Sequence, residues 1–332
     1  MKNGLARFDF FLNQLQALLD KAGKQKNPAL WLYQNNARTP LFMLEGLAKL
    51  YAGIHNKKKF TKIKAWFKLL EDTIGAIDYY DSFAKEFVAN KKIPTVLTSY
   101  IQAQSREKIQ SLNEILKEKK WLSEDNKHML KIRKKLAKAD WQNEDVEIES
   151  IHKFYTLAIK EILNFINQKD FHFANVETDL HELRRKMRWL SIYPQALKGC
   201  IQLTVAKTAA PKYLAKYLTK EITGSPYNVM PDAAENKYFL LFDKNRFYAL
   251  SWMIWELGKF KDNGLRIEVL KEAILQTSAT TEKAALNKAF KLCGPGQLNI
   301  NQILTTVETL CKTYCKEKNL ESLIMGKAIV KK

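Results

Sequence analysis

Residues 178–197 read TDLHELRRKMRWLSIYPQAL, a run that sets a histidine, three arginines and a lysine beside a regular series of apolar positions. Leu180, Leu183, Met187, Leu190 and Leu197 recur at helical spacing and fall on one side of a helix, the stripe a buried face requires. His181, Arg184, Arg185 and Arg188 keep the i, i+3, i+4, i+7 relation and share another side. Asp179 followed by Glu182 predicts a helix start with Asp179 as N-cap and His181 in the first turn. Pro194 predicts an end or kink just after it. Like charges at this spacing disfavour an isolated helix by roughly 0.2–0.5 kcal/mol per pair. Glu182 is the nearest carboxylate. A bound anion relieves such repulsion, and guanidinium forks, an imidazole and the free N–H groups of a helix start all suit phosphate oxygens. A solvated face, or ion pairs to a neighbouring helix, account for the same stripe.

Helical periodicity also dominates on either side of this run. LARFDFFLNQLQALLDKAG stops at Gly23, and RTPLFMLEGLAKLYAGIH opens on Thr39 as N-cap with Pro40 as first helical residue. Ile63, Phe67, Leu70 and Ile74 form one stripe, Pro94 opens a further helix, and Ser123 caps the next. Later segments are divided by a DNG turn at 262–264 and a GPG turn at 294–296. KYFLLF, 237–242, is the single short strand candidate, and helix or loop is preferred for it. The expected class is all-α, with helices packed as antiparallel bundles through short loops. The pattern breaks at NQKDFHFAN, so an N-terminal bundle is expected over 1–170 and a C-terminal one over 171–332, with Lys331 and Lys332 as a frayed end.

The 332 residues carry 55 Lys and Arg against 35 Asp and Glu, a formal charge of +20. That excess fits nucleic acid, an anionic membrane surface or another polyanion. Lys57 to Lys68 holds six lysines, with Lys58 and Lys62 on one face and Lys64 and Lys68 on another. This segment can wall a groove or lie solvated. Cys200, Cys293, Cys311 and Cys315 form no C-x-x-C pair and no secreted-type framework, so buried thiols in a reducing cytoplasm are expected. No apolar run suffices for a membrane span, and no signal peptide is evident. P-loop, G-x-G-x-x-G, H-E-x-x-H and G-x-S-x-G signatures are absent. Glu149 and His152 form one Glu-x-x-His pair with no second copy, so neither a metal nor a cofactor is expected. Trp66, Phe247, Trp252 and Trp255 read as core anchors.

The run HELRRKMRWLSIY resembles the signature helix of CHAD (conserved histidine α-helical) domains, with His181, Arg184, Arg188 and Leu190 at the matching positions. Trp189 and Ser191 stand where that family usually has basic residues. WELGKFKDNG resembles the family's later helix through Leu257, Gly258, Lys261 and Asp262. A degenerate first copy is read in Asn35 and Arg38, followed by Ile74, Gly75 and Asp78, with Phe42 and Met43 in place of basic residues. The resemblance covers about residues 30–275. It implies two helical bundles in pseudo-two-fold relation around a basic groove, and non-catalytic binding of inorganic polyphosphate. His181, Arg184, Arg188 and Lys261 would line that groove. Arg185, Arg38, Lys58 and Lys62 extend the candidate polyanion site, with RNA or DNA binding or a protein-interaction scaffold as the alternatives.

Overall fold

Asn27, Asn56, Asp243, Thr281 and Asn299 each accept a hydrogen bond from a backbone N–H two or three residues into a helix, and each opens one. The computed structural model describes residues 2–123, 125–206, 209–233 and 236–329, so Lys331 and Lys332 lie outside the described residues. Its helices are α1 (Asn3–Ala22), α2 (Pro28–Gln34), α3 (Arg38–Ile54), α4 (Lys57–Val88), α5 (Thr95–Glu118) and α6 (Lys127–Ala137). They continue with α7 (Glu144–Asn167), α8 (Glu182–Ala196), α9 (Lys220–Thr223), α10 (Lys244–Thr277), α11 (Glu282–Cys293) and α12 (Ile300–Lys316). The chain is thus mostly helical.

A small sheet corrects the expectation for KYFLLF. β1 (Ile201–Thr204), β2 (Tyr238–Asp243) and β3 (Ile324–Ile329) lie in that order, β1 parallel to β2 and β2 antiparallel to β3. Ile201 pairs with Leu240, and Tyr238 with Ile329. Phe239 and Leu240 point to opposite faces of the central strand, yet both are buried. Burial on both sides replaces alternation by a continuous apolar run, which periodicity cannot tell from a short helix.

The DNG turn is a second correction. Asp262, Asn263 and Gly264 lie inside α10, which runs unbroken to Thr277. A Cβ on Gly264 would stand 2.7 Å from Cγ1 of Val176, so this glycine marks a close approach between segments and not a turn. Tertiary packing outweighs the helix cost of glycine, about 1 kcal/mol.

One hydrophobic cluster joins both sides of residue 170, drawing Phe8 and Leu12 from α1, Leu44 and Leu47 from α3, Phe67 from α4 and Ile151 from α7 with Leu183, Leu190, Phe242, Leu250 and Val307. A smaller cluster joins Phe83 and Phe87 of α4, Ile101 of α5, Leu270 and Ile274 of α10, and Ala289 of α11. Within the larger core, the Arg7 guanidinium donates to Glu147 Oε2 (2.7 Å) and to the Tyr51 hydroxyl (2.9 Å), and that hydroxyl donates to Glu147 Oε1 (2.6 Å). The triad ties α1, α3 and α7 together.

Candidate functional site

The sequence of α3, RTPLFMLEGLAKLYAGI, has three charged residues: Arg38, Glu45 and Lys49. With Phe42 they occupy one helical stripe. α4 returns beside α3 after the two-residue link His55–Asn56, so the start of α3 meets the second half of α4. Arg38 Nε donates to Glu71 (2.6 Å) and Nη1 to Asp78 (3.1 Å). The guanidinium lies over Gly75, where a Cβ would come within 2.7 Å of Nη2. Arg184 of α8 sits over Gly258 of α10 in the same manner: a Cβ there would stand 3.0 Å from Nε, which donates to the Ile254 carbonyl (3.2 Å). Burial lowers the Arg184 pKa, with Asp262 opposing.

Arg188, one turn further along α8, stands with its guanidinium carbon 4.3 Å from the centre of the Phe42 ring, and Arg38 reaches the same ring at 5.1 Å. Among the described residues the Arg188 guanidinium has neither a hydrogen-bond nor an ion-pair partner. Burial, then the neighbouring charges of Arg184 and Arg38, push its pKa down to about 10, against the pull of Glu71 and Tyr227. Three arginines therefore converge where α3, α4, α8 and α10 meet.

The stripe continues past Phe42. Glu45 is 5% exposed. Burial, then Glu71, pushes its carboxyl up to about 7, with Asp72 adding to the rise and Lys68 and Lys49 opposing it. Lys49 holds its ammonium 4.9 Å above the Trp189 ring, and Trp189 meets Phe42 edge-on at 6.3 Å. Burial, then Lys186 and Lys64, pushes the Lys49 pKa down to about 8, with Arg185 adding to the fall and Glu45 opposing it. Cations of α8 thus divide between two groups: Arg184 and Arg188 beside Arg38, Arg185 and Lys186 towards Lys49.

The expected helix start at Asp179 is corrected. A π-helical turn, Val176–His181, precedes α8, and the Leu180 N–H donates to the Asn175 carbonyl five residues back (3.3 Å). Asn175 is the N-cap and accepts from the N–H groups of Glu177 and Thr178. Asp179 turns back to accept from Ala174 (2.8 Å) and Asn175 (3.0 Å), and pairs with Lys169. Those N–H groups are consumed by the chain itself.

Most of the other predicted site residues already have carboxylate partners. His181 Nδ1 meets the Glu177 carboxylate at 2.9 Å, and this bond draws the Glu177 pKa below its usual range. Arg185 pairs with Glu182 (2.7 Å) and Lys261 with Asp262 (2.7 Å). Lys62 lies over Trp66, which it shares with Lys131 of α6, while Lys58 is exposed. Of the expected core aromatics, Phe247 is fully buried, while Trp255 is 43% exposed beneath the Lys259 ammonium. Among the described residues no group of three His, Cys, Asp or Glu is placed to hold a metal. No helix of the described residues is long and apolar enough to cross a membrane.

Glu45 and Lys49 are not among the expected site residues, and Phe42 is read from the sequence only as a missing basic position. The available signal was the pairing of two charges, at i+7 and i+11 from Arg38, on an otherwise apolar helix. Compared with known proteins, the chain matches no family model, no curated protein and no solved structure.

Proposed function

We propose that this chain binds a polyanion without catalysis, inorganic polyphosphate in the first place, at the junction of Arg38, Arg184 and Arg188. The observation that carries the reading is Arg188: a half-buried guanidinium beside two others, laid on Phe42 and lacking any acceptor among the described residues. Holding like charges together in a partly dry setting is costly, and an anion that reaches them relieves both repulsion and desolvation. His181, Arg185 and Lys261 each already face a carboxylate, so they rank below Arg184 and Arg188 as anion donors.

The paired seats, Arg38 over Gly75 with Asp78 a turn later and Arg184 over Gly258 with Asp262 a turn later, support a CHAD-like arrangement of two related halves. Long helices, α4 and α10, carry the glycine in each half. Four free cysteines fit a cytoplasmic setting. A second reading, RNA or DNA binding, draws on Tyr227, which is 80% exposed and acts on the Arg188 charge. An exposed ring beside a cation is a stacking platform for a base.

Arg188→Glu is expected to weaken long-chain polyphosphate binding at least about tenfold, with wild-type affinity itself falling as salt rises. Titration of the full chain, with RNA competing at equal charge concentration, checks this. Unchanged binding by the variant removes the proposal, and RNA displacing polyphosphate transfers the site to the second reading.

The glycine seats give a separate expectation. Gly75→Ala and Gly258→Ala each remove a helix-interior glycine, a gain of up to about 1 kcal/mol in helix propensity. Each added methyl displaces a guanidinium. The Gly258→Ala chain, where Arg184 gives up only the Ile254 carbonyl, should melt near the wild-type temperature, yet bind polyphosphate a few-fold more weakly. Gly75→Ala should be the less stable of the two, because Arg38 loses Asp78 and the buried Glu71 carboxylate.

A further inference from the structure

We propose that the polyanion held at the arginine junction is linear and also spans a second cation site centred on Lys49, so that binding selects for chain length. This rests on the reading of the junction as a polyanion site. Arg38 and Lys49 lie on the same stripe of α3, about 16 Å apart at the rise of an α-helix. Lys49 has no hydrogen-bond or ion-pair partner among the described residues; its ammonium is laid over Trp189 as the Arg188 guanidinium is over Phe42. An ammonium resting on a ring face keeps its outward donors available. Lys64 approaches it from α4, and Lys186 and Arg185 from α8. The last two are partly neutralised by Glu182, which leaves Lys49 and Lys64 as the open cations of this end.

Between the two sites the α3 stripe carries Phe42 and Glu45, and Trp189 of α8 lies against them. Neither ring offers an ionic contact, and Glu45 supplies no positive charge and repels an anion once it ionises above about pH 7. A single phosphate or a short oligophosphate therefore occupies the arginine junction alone, whereas a long chain crosses the gap and gains from both. The second contact is intramolecular once the first is made, so it raises affinity without new encounter cost.

The experiment is a titration of the full chain with inorganic phosphate, tripolyphosphate and long-chain polyphosphate. Wild-type, Lys49→Met, Lys49→Arg and Arg188→Glu chains are compared, each verified by its thermal melt. Methionine keeps the stem on Trp189 and removes the charge. Lys49→Met is expected to weaken long-chain binding by about tenfold, the scale of a lost phosphate contact and its linkage, and to leave tripolyphosphate unchanged. Lys49→Arg should restore the long-chain preference. If Lys49→Met leaves the ratio of long-chain to tripolyphosphate affinity unchanged while Arg188→Glu weakens both, the second site is refuted and the junction stands. If Arg188→Glu weakens neither, the junction itself fails and this inference falls with it.

Discussion

Glu147→Ala is expected to lower the unfolding free energy by about 3–5 kcal/mol. Arg7 and Glu147 are 4% and 3% exposed, and the Arg7 guanidinium is satisfied chiefly by Glu147 and by the Tyr51 hydroxyl. Removing the carboxylate leaves a charge in the core with only neutral partners, the Tyr51 hydroxyl and Asn236 Oδ1 at 3.4 Å, and strands the Tyr51 hydroxyl proton donated to it. Denaturant unfolding at neutral pH measures the loss. The double variant Arg7→Met, Glu147→Leu separates a buried unpaired charge from lost packing. It removes both charges at similar volume and should recover most of the stability. A double variant no more stable than Glu147→Ala would assign the effect to packing.

The second large effect is on pH dependence. Burial and Glu71 raise the Glu45 carboxyl from 4.5 to about 7, so folding favours its neutral form. The stabilisation linked to that proton is complete below pH 4.5, declines as the pH rises, and is lost once the pH passes about 7. Above that point the protein carries an ionised carboxylate at a site that disfavours it. Glu45→Gln, which keeps the shape of the neutral acid, should therefore stabilise the chain at pH 8 by up to about 3 kcal/mol. The difference should shrink steadily towards pH 4.5. Melting curves across this range provide the check, and a gap that does not change with pH would contradict the assignment of the effect to Glu45.

The helices were legible because their apolar stripes repeat over many turns. Pro94 and Gly23 mark α5 and α1 at the expected places. Local signals failed where distant partners decide. Gly264 reads as a turn residue until Val176 is brought against it, and β2 reads as a helix fragment until β1 and β3 flank it. α3 begins at Arg38, one residue before the expected cap, because Thr39 is already within the helix. The basic sector of α8 was visible as a sector. The pairs His181–Glu177 and Arg185–Glu182 stand at i, i+4 and i, i+3 spacing; what needed three dimensions was the Phe42 ring under Arg188 and the Gly258 seat of Arg184. Lys49 was hidden too: on its own helix it stands at the ordinary i, i+4 spacing from Glu45 without bonding to it, and its cationic company comes from α4 and α8.

The π-helical turn before α8 has a geometric consequence for the arginine junction. Such a turn takes up one residue more than an α-helical turn, so the residues beyond it are about 100° out of phase with the positions that a regular α-helix starting at Val176 would give them. Val176 opens this turn and is seated against Gly264; Arg184 follows it and is seated on Gly258. Anchor and arginine thus address the same partner helix from two different phases of what a helical wheel treats as one continuous cylinder. A change of a single residue in length between them would re-index Arg184 and Arg188 against Phe42, with no alteration in composition or charge.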